Sequence, residues 1–325
     1  MTMATLDGLE DTGRTDPEQI NPTLDTHVFL LGRPPLTRFL DFVEDLAVNG
    51  READVKVLTE EWHAARALIR HIAKEELGWV DKPPIGPLPS RMIPLRDQLF
   101  KDPVFQHASF NKVGTVEVGM VELDRLVVYQ KHIDLAHVQR LKQKLGPSPS
   151  EEEIFKLCLP FEHPQPLMRW MKPTSHTYVF ISPSNDIRYL ESTMLTSKNL
   201  MDYPPPGAIC GVVGVVVGFG SNFFNVIHAE DRLVVHNGSH RAFTLRDLGI
   251  THAPCIIRHV TNREELRAVT SSDLRRNPDL YLKHPRPSIL KDYFDARLRK
   301  LIDVPRRLYQ ITVKFDVESI DIPAM

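Results

Sequence analysis

From Val55 onward the apolar positions Val55, Leu58, Trp62, Ala65, Ile69 and Ile72 recur at steps of three and four. That spacing predicts one buried helix face, closing near Gly78. Further on the period changes to two: Val116, Val118 and Met120 alternate with Thr115, Glu117 and Gly119, a half-buried strand, and Val121 to Val128 gives a second apolar run. In "HIDLAHVQRLKQKLG" Asp134 is placed to cap a helix whose stripe is Leu135, Val138, Leu141 and Leu145, and Gly146 ends it. "HTYVFI", "ICGVVGVVVGF", "FFNVI" and "LVVHNG" read as strands, the last two joined by a turn at Glu230-Asp231. A short helix starting at Ser239 and stopping at Gly249 precedes the strand "THAPCII". Helices are predicted at 262–270 and 287–302. A terminal strand alternates Ile311, Val313, Phe315 and Val317 with Thr312, Lys314 and Asp316.

Between these elements the polar and proline-rich stretches set the organisation. Residues 1–25 carry six acids against one arginine and read as a loose tail, followed by a helical region at 26–110. "DKPPIGPLPSRMIP" has too many prolines for a helix or a central strand and marks a soft boundary. A core at 111–260 is interrupted at 147–206 by a segment with ten prolines, and 261–325 forms a C-terminal extension.

Composition narrows the class. The 325 residues are 42% hydrophobic and 25% charged, ordinary for a globular chain. A net charge of −2 gives no basic field for nucleic acid or anionic membrane. Cys158, Cys210 and Cys255 are odd in number and far apart, which argues against a disulfide framework and for a reducing, cytoplasmic setting. The longest apolar run, Ala208 to Phe219, is too short for a membrane span and is broken by glycines.

The chemistry concentrates at Asn237-Gly238-Ser239-His240-Arg241, where a strand turns into a helix. Gly238 permits a backbone that a side chain would forbid, the helix start leaves N–H groups unpaired, and its dipole favours negative charge. Ser239 is placed to cap; Arg241 offers paired planar donors, and His240 a donor that depends on tautomer. Taken alone, the unit fits a capped turn with solvated cations as readily as an anion site.

"NGSHRAFTLRDLGITHAPCII" resembles the second motif of the ParB/sulfiredoxin superfamily, and "VELDRLVVYQKHIDLAHVQRLKQKL" resembles its first. The resemblance covers about residues 113–146 and 208–260. It implies a small mixed sheet of the ParB/sulfiredoxin type; with the helical N-terminal region and the C-terminal helix-plus-strand read from the residues on either side, the expected fold is α/β (α+β). It further implies that Gly238, Ser239, His240 and Arg241, beside Asn237, grip the phosphates of ATP, ADP or another nucleotide, with Lys131 as the cation of the first motif and Mg2+ as the counter-ion. Ser239 stands where sulfiredoxin has its catalytic cysteine, so thiol-dependent sulfinic acid repair is not expected. His137 falls at a lysine position of the family helix. By similarity to the free serine kinases of the superfamily, Glu122 or Asp124 would activate an acceptor hydroxyl, with His240 as the other catalytic candidate.

The expected function is therefore nucleotide-dependent phosphoryl transfer to a small hydroxylated or carboxylated metabolite. The alternatives are a nucleotide-gated DNA-binding regulator and a ParB-like nuclease, against which stand the missing helix-turn-helix after residue 260 and the slightly acidic charge. A metal centre would need Asn225, His236 and His240 to converge, and none is expected. Gly218-x-Gly220 lacks the rest of a dinucleotide fingerprint, although Gly220, Ser221 and Asn222 form a loop that can lie beside the nucleotide.

Overall fold

A computed structural model describes residues 24–33, 35–106, 113–196, 207–220, 222–270 and 272–322. The predicted tail lies outside these residues up to position 23, as do Ser221 and the end of the proline-rich segment. The chain is mixed α/β, with several small sheets rather than one large one.

The helix predicted from the 3–4 spacing is α2 (Val55–Glu75), with Asp54 accepting the N–H groups of Lys56 and Val57 and with Leu58, Trp62, Ala65 and Ile69 buried. It packs with α1 (Leu36–Leu46) on a sheet that the sequence did not announce. That sheet joins β1 (Leu24–Leu30) to β12 (Arg299–Pro305) on one side and to the short β4 (His132–Asp134) on the other, all antiparallel. Its strands come from the N-terminal region, the core and the C-terminal extension. The helix expected at 287–302 is instead a 3-10 turn at Leu290–Phe294 followed by β12. Leu298, Ile302 and Val304 gain more from pairing with β1 over the α1–α2 core than from a solitary helical stripe.

The central sheet has five strands in the order β10, β9, β11, β3, β2, comprising β2 (Ile85–Gly86), β3 (Thr115–Glu122), β9 (Asn225–Ala229), β10 (Arg232–Asn237) and β11 (His252–His259). β9 and β11 run parallel and the other pairs antiparallel. Glu230 and Asp231 both take positive φ, the twist that a two-residue hairpin requires. Against this sheet pack α3 (Ile93–Leu99), α4 (Leu135–Leu145), α5 (Glu151–Cys158) and α6 (Ser239–Asp247). Asp134 caps α4 as expected, and Gly146 ends it with φ +72°. The C-terminal helices α7 (Arg263–Val269), α8 (Ser272–Arg276) and α9 (Pro278–Leu282) cover a third apolar cluster that includes Ile227 and Val234.

The proline-rich segment is more ordered than a loop reading implies. It contributes α5, β5 (Arg169–Thr174) and β6 (Thr177–Ser182), and β6 pairs with the terminal strand β13 (Tyr309–Lys314). β7 (Ile187–Leu195) and β8 (Val212–Phe219) form a separate two-stranded ribbon.

A buried ion pair holds the turn of the C-terminal segment before Leu290, and a further contact to Glu76 ties that segment to the residue after α2. Arg286 and Asp292, 2% and 3% exposed, form two parallel hydrogen bonds of 2.6 Å each. Arg286 also reaches Glu76 at 3.0 Å, and Asp292 accepts the Ile289 N–H. Removing one partner strands the other charge away from water. Asp292→Ala is therefore expected to lower unfolding free energy by about 3–5 kcal/mol in urea titrations. A loss below about 1 kcal/mol, the level of an exposed pair, would show that the clamp contributes little.

Candidate functional site

Gly238 is the pivot of the site. It takes φ +96° and occupies the cap position of α6, so Ser239 is the first helical residue rather than the cap. A Cβ at Gly238 would stand 2.8 Å from the Phe224 ring and 3.0 Å from the Phe224 Cα. Only a residue without a side chain lets β10 turn this close to β9's approach. The turn sends α6 into the interior: Ala242, Phe243, Thr244 and Leu245 are buried, and so are Ser239 and Arg241 at its start.

The start of α6 opens on a cavity of about 1040 Å³. Asn237, Gly238, His240 and Arg241 line its floor together with Gln130, His132, Asp134 and His137. The other lining residues come from the proline-rich segment, the end of β8 and the C-terminus, including Pro164, Pro183, Phe180, Phe219 and Tyr309. Among the lining residues four arginines (Arg140, Arg241, Arg306, Arg307) face three aspartates (Asp25, Asp134, Asp186).

These charges are not equally available. Arg306 pairs with Asp25 at 2.9 Å. Arg241 is 8% exposed and donates to the side-chain oxygen of Asn222. Among the described residues no carboxylate forms an ion pair with it. Burial pushes its pKa down, while Cys158 and Asp186 pull it back up. A guanidinium stays charged even so, and a buried cation without a counter-charge is costly unless an anion completes it.

Four histidines stand at the floor. His27 and His132 meet through their Nδ1 atoms at 2.9 Å, and His137 lies edge-on to His240 with ring centroids 5.0 Å apart. The Asp134 backbone N–H donates to His240 Nε2 at 3.0 Å, so that nitrogen is unprotonated and Nδ1 carries the hydrogen of a neutral ring. His240 thus fastens the turn to β4, and its Nε2 is not free to donate to a ligand. Burial holds His132 and His137 down at about 4, and it pushes His240 well below its ordinary value and lowers His27 as well.

The remaining candidates lie elsewhere. Asp124 is bound to Arg246 at 2.8 Å near the far end of α6, and Glu122 stands 3.9 Å from Arg125; neither lines the cavity. Lys131 binds Asp273 at 2.8 Å, in a small cleft shared with Arg38. Asn225 faces Asn237 rather than His236, because a bulge interrupts β10 between Val235 and Asn237. Among the described residues no group of three or more His, Cys, Asp or Glu could hold a metal ion. Sequence reasoning missed His27, His132, Arg140 and Asp186, which carry no local motif and meet the turn only through tertiary packing. Of the predicted loop, Gly220 and Asn222 do lie at the cavity.

The chain matches no family model, no curated protein and no solved structure. No helix among the described residues is long and apolar enough to cross a membrane.

The histidine cluster makes stability depend on pH with a definite sign. His132 and His137 have folded pKa values of about 4, below their ordinary 6.5, so between those values the unfolded chain binds protons that the folded one refuses. Stability is full above about pH 6.5 and falls toward pH 4, by about 1.4 kcal/mol per pH unit for each histidine kept neutral. Urea midpoints at pH 7.5, 6 and 5 check the slope. His137→Gln should flatten it, and an unchanged slope in that variant would remove His137 from the account.

Proposed function

We propose that the cavity binds a nucleotide by its phosphates at Asn237–Arg241 and transfers a phosphoryl group to a small hydroxylated or carboxylated metabolite. The observation that carries this reading is Arg241: a buried guanidinium, 8% exposed, at the start of a nine-residue helix, lining the cavity with no carboxylate paired to it among the described residues. The unpaired N–H groups of the first turn of α6 and the helix dipole add to the preference for an anion. Arg241 supplies the planar paired donors that suit phosphate oxygens.

The cavity exceeds what inorganic phosphate needs. Its apolar wall, with Phe219 and Tyr309, suits a base or another planar group, while the polar floor takes the phosphates. Mg2+ would supply counter-charge to the phosphates, and the carboxylates that could hold it are those lining the cavity, Asp25, Asp134 and Asp186.

Asp186 replaces Glu122 and Asp124 as the group proposed to activate the acceptor. It lines the cavity, and burial pulls its pKa up against the opposing pull of Arg188, the Gly220 N–H and Arg241. A carboxylate raised in this way is a better base than an exposed one. Asp124 and Glu122, held at the other end of α6, then serve structure.

Thermal shift and calorimetry with ATP, ADP, CTP, GTP and pyrophosphate, each with and without Mg2+, test the reading. Arg241→Gln keeps side-chain bulk and is expected to weaken binding by about 1.5–3 kcal/mol, or roughly 10- to 150-fold. Equal affinity in variant and wild type, or no binding of any of these ligands, would overturn it. In the acceptor reaction, Asp186→Asn should lower turnover by about 10²–10⁴-fold while leaving nucleotide affinity within about twofold. Asp124→Asn should leave turnover near wild type, and the reverse pattern would restore the base to β3's end.

A further inference from the structure

A second void borders the cavity along residues 130–132: Gln130 lines both, Lys131 lines the smaller cleft and His132 the cavity. The cleft measures about 70 Å³. That is far below the roughly 300 Å³ at which pockets for small organic molecules begin, so its occupant has only a few heavy atoms. The charged lining comes from places far apart in sequence: Arg33 after β1, Arg38 on α1, Lys131 before β4 and Asp273 on α8.

These charges do not balance. Among the described residues Asp273 is the one carboxylate of the lining. It is shared by Lys131 at 2.8 Å, by Arg38, and by Arg276 at 3.2 Å, which does not line the cleft. Arg33 has less. Its Nη1 donates to His284 Nδ1 at 2.9 Å, while Nε and Nη2, both shut off from solvent, have no hydrogen-bond partner among the described residues. Asp292 attracts it, but that carboxylate is held by Arg286 in two hydrogen bonds, and Arg286 repels Arg33. Burial pulls Arg33 down to about 10, far enough above neutral for the guanidinium to keep its charge. Three positive charges thus line the cleft against one negative. Surplus like charge and buried donors without acceptors both cost stability, and an unmet buried N–H is where an ion is to be sought.

We infer that the cleft is a second anion site, separate from the cavity, that takes inorganic phosphate as its monohydrogen dianion. The surplus of positive charge in the lining matches the two negative charges of that ion. Arg38 and Lys131, with side chains 33% and 23% exposed, keep donors within reach of solvent. Arg33 adds a charge that water screens little, because its Nε and Nη2 are out of solvent's reach. Asp273 sets the choice of anion. Against burial, which raises its pKa, the hydrogen bonds from Arg38 and Lys131 hold it below the ordinary value, so the carboxylate is ionised at neutral pH. An ionised carboxylate accepts the P–OH hydrogen of monohydrogen phosphate and repels sulfate, which has no hydrogen to give. The site goes beyond the nucleotide reading and does not rest on it, since neither Arg241 nor the α6 turn lines the cleft.

Calorimetric titration and thermal melting of the full chain with sodium phosphate, sulfate and chloride, at matched ionic strength, read the outcome. Phosphate is expected to bind and to raise the melting temperature, with sulfate at least about tenfold weaker. Lys131→Gln and Arg38→Gln should each weaken phosphate binding by about tenfold or more, with circular dichroism unchanged. Arg241→Gln should keep it, which separates the cleft from the cavity whether or not a nucleotide binds there. Asp273→Asn should erase the preference for phosphate over sulfate, an effect that a purely structural Asp273 would not produce. No response to phosphate up to about 10 mM in wild type would overturn the inference, as would full affinity in both Lys131→Gln and Arg38→Gln. Phosphate binding lost in Arg241→Gln but kept in Lys131→Gln would move the anion to the cavity and equally overturn it. Sulfate bound as tightly as phosphate by wild type would overturn the choice of ion.

Discussion

The close approach of Gly238 to Phe224 sets the geometry of the whole site. With φ +96° and no room for a Cβ, the chain leaves β10 and enters α6 without the excursion a larger residue would impose. That short turn drives α6 under the surface, where Phe243 stacks on Phe294 at 4.5 Å and Thr244 donates to the His240 carbonyl at 2.7 Å. It also leaves the first N–H groups of α6 opening on a cavity rather than on bulk water. Any side chain at this position would force the helix start or Phe224 to move, and with it the direction of Arg241.

Around that pivot the electrostatics separate two kinds of cation. Lys131, Arg246, Arg286 and Arg306 each have a carboxylate close at hand, and their charge is spent on holding the fold. Arg241 is different in being buried beside a neutral amide oxygen while lining open space. The histidines sharpen the contrast, because burial keeps them uncharged and the Asp134 N–H fixes the tautomer of His240. A neutral imidazole floor with one buried guanidinium concentrates the attraction for an anion at a single point, where a field of exposed cations would spread it through screening water.

The cavity is a product of the whole chain. β4 brings His132 and Asp134 beside the turn, with Gln130 just before it, while the proline-rich segment and residues 304–309 supply further lining. β1 makes this possible by pairing with β4 on one edge and with β12 on the other, in a three-stranded sheet assembled from positions nearly three hundred residues apart. The segments that read as additions to a core in the sequence thus complete the wall around the cavity on which the Gly238 turn opens.

Local patterns in the sequence determined the helices α2 and α4 with their aspartate caps, the Glu230-Asp231 hairpin, and the strand–glycine–helix–strand unit from β10 to β11. Each depends on contacts within a few residues, so period, cap and glycine suffice to read it. The C-terminal strand β12 was hidden because Leu290, Phe294, Leu298 and Leu301 mimic a helical stripe, and only β1's edge, far away in sequence, makes an extended chain the better solution. The same holds for the site: Asn237, Gly238, His240 and Arg241 were legible as neighbours at one turn. Which acids and cations meet them was not, because Glu122, Asp124 and Lys131 are near in motif order yet are captured by Arg125, Arg246 and Asp273. Sequence fixes backbone period locally, whereas the pairing of charges is decided by which surfaces tertiary packing removes from water together.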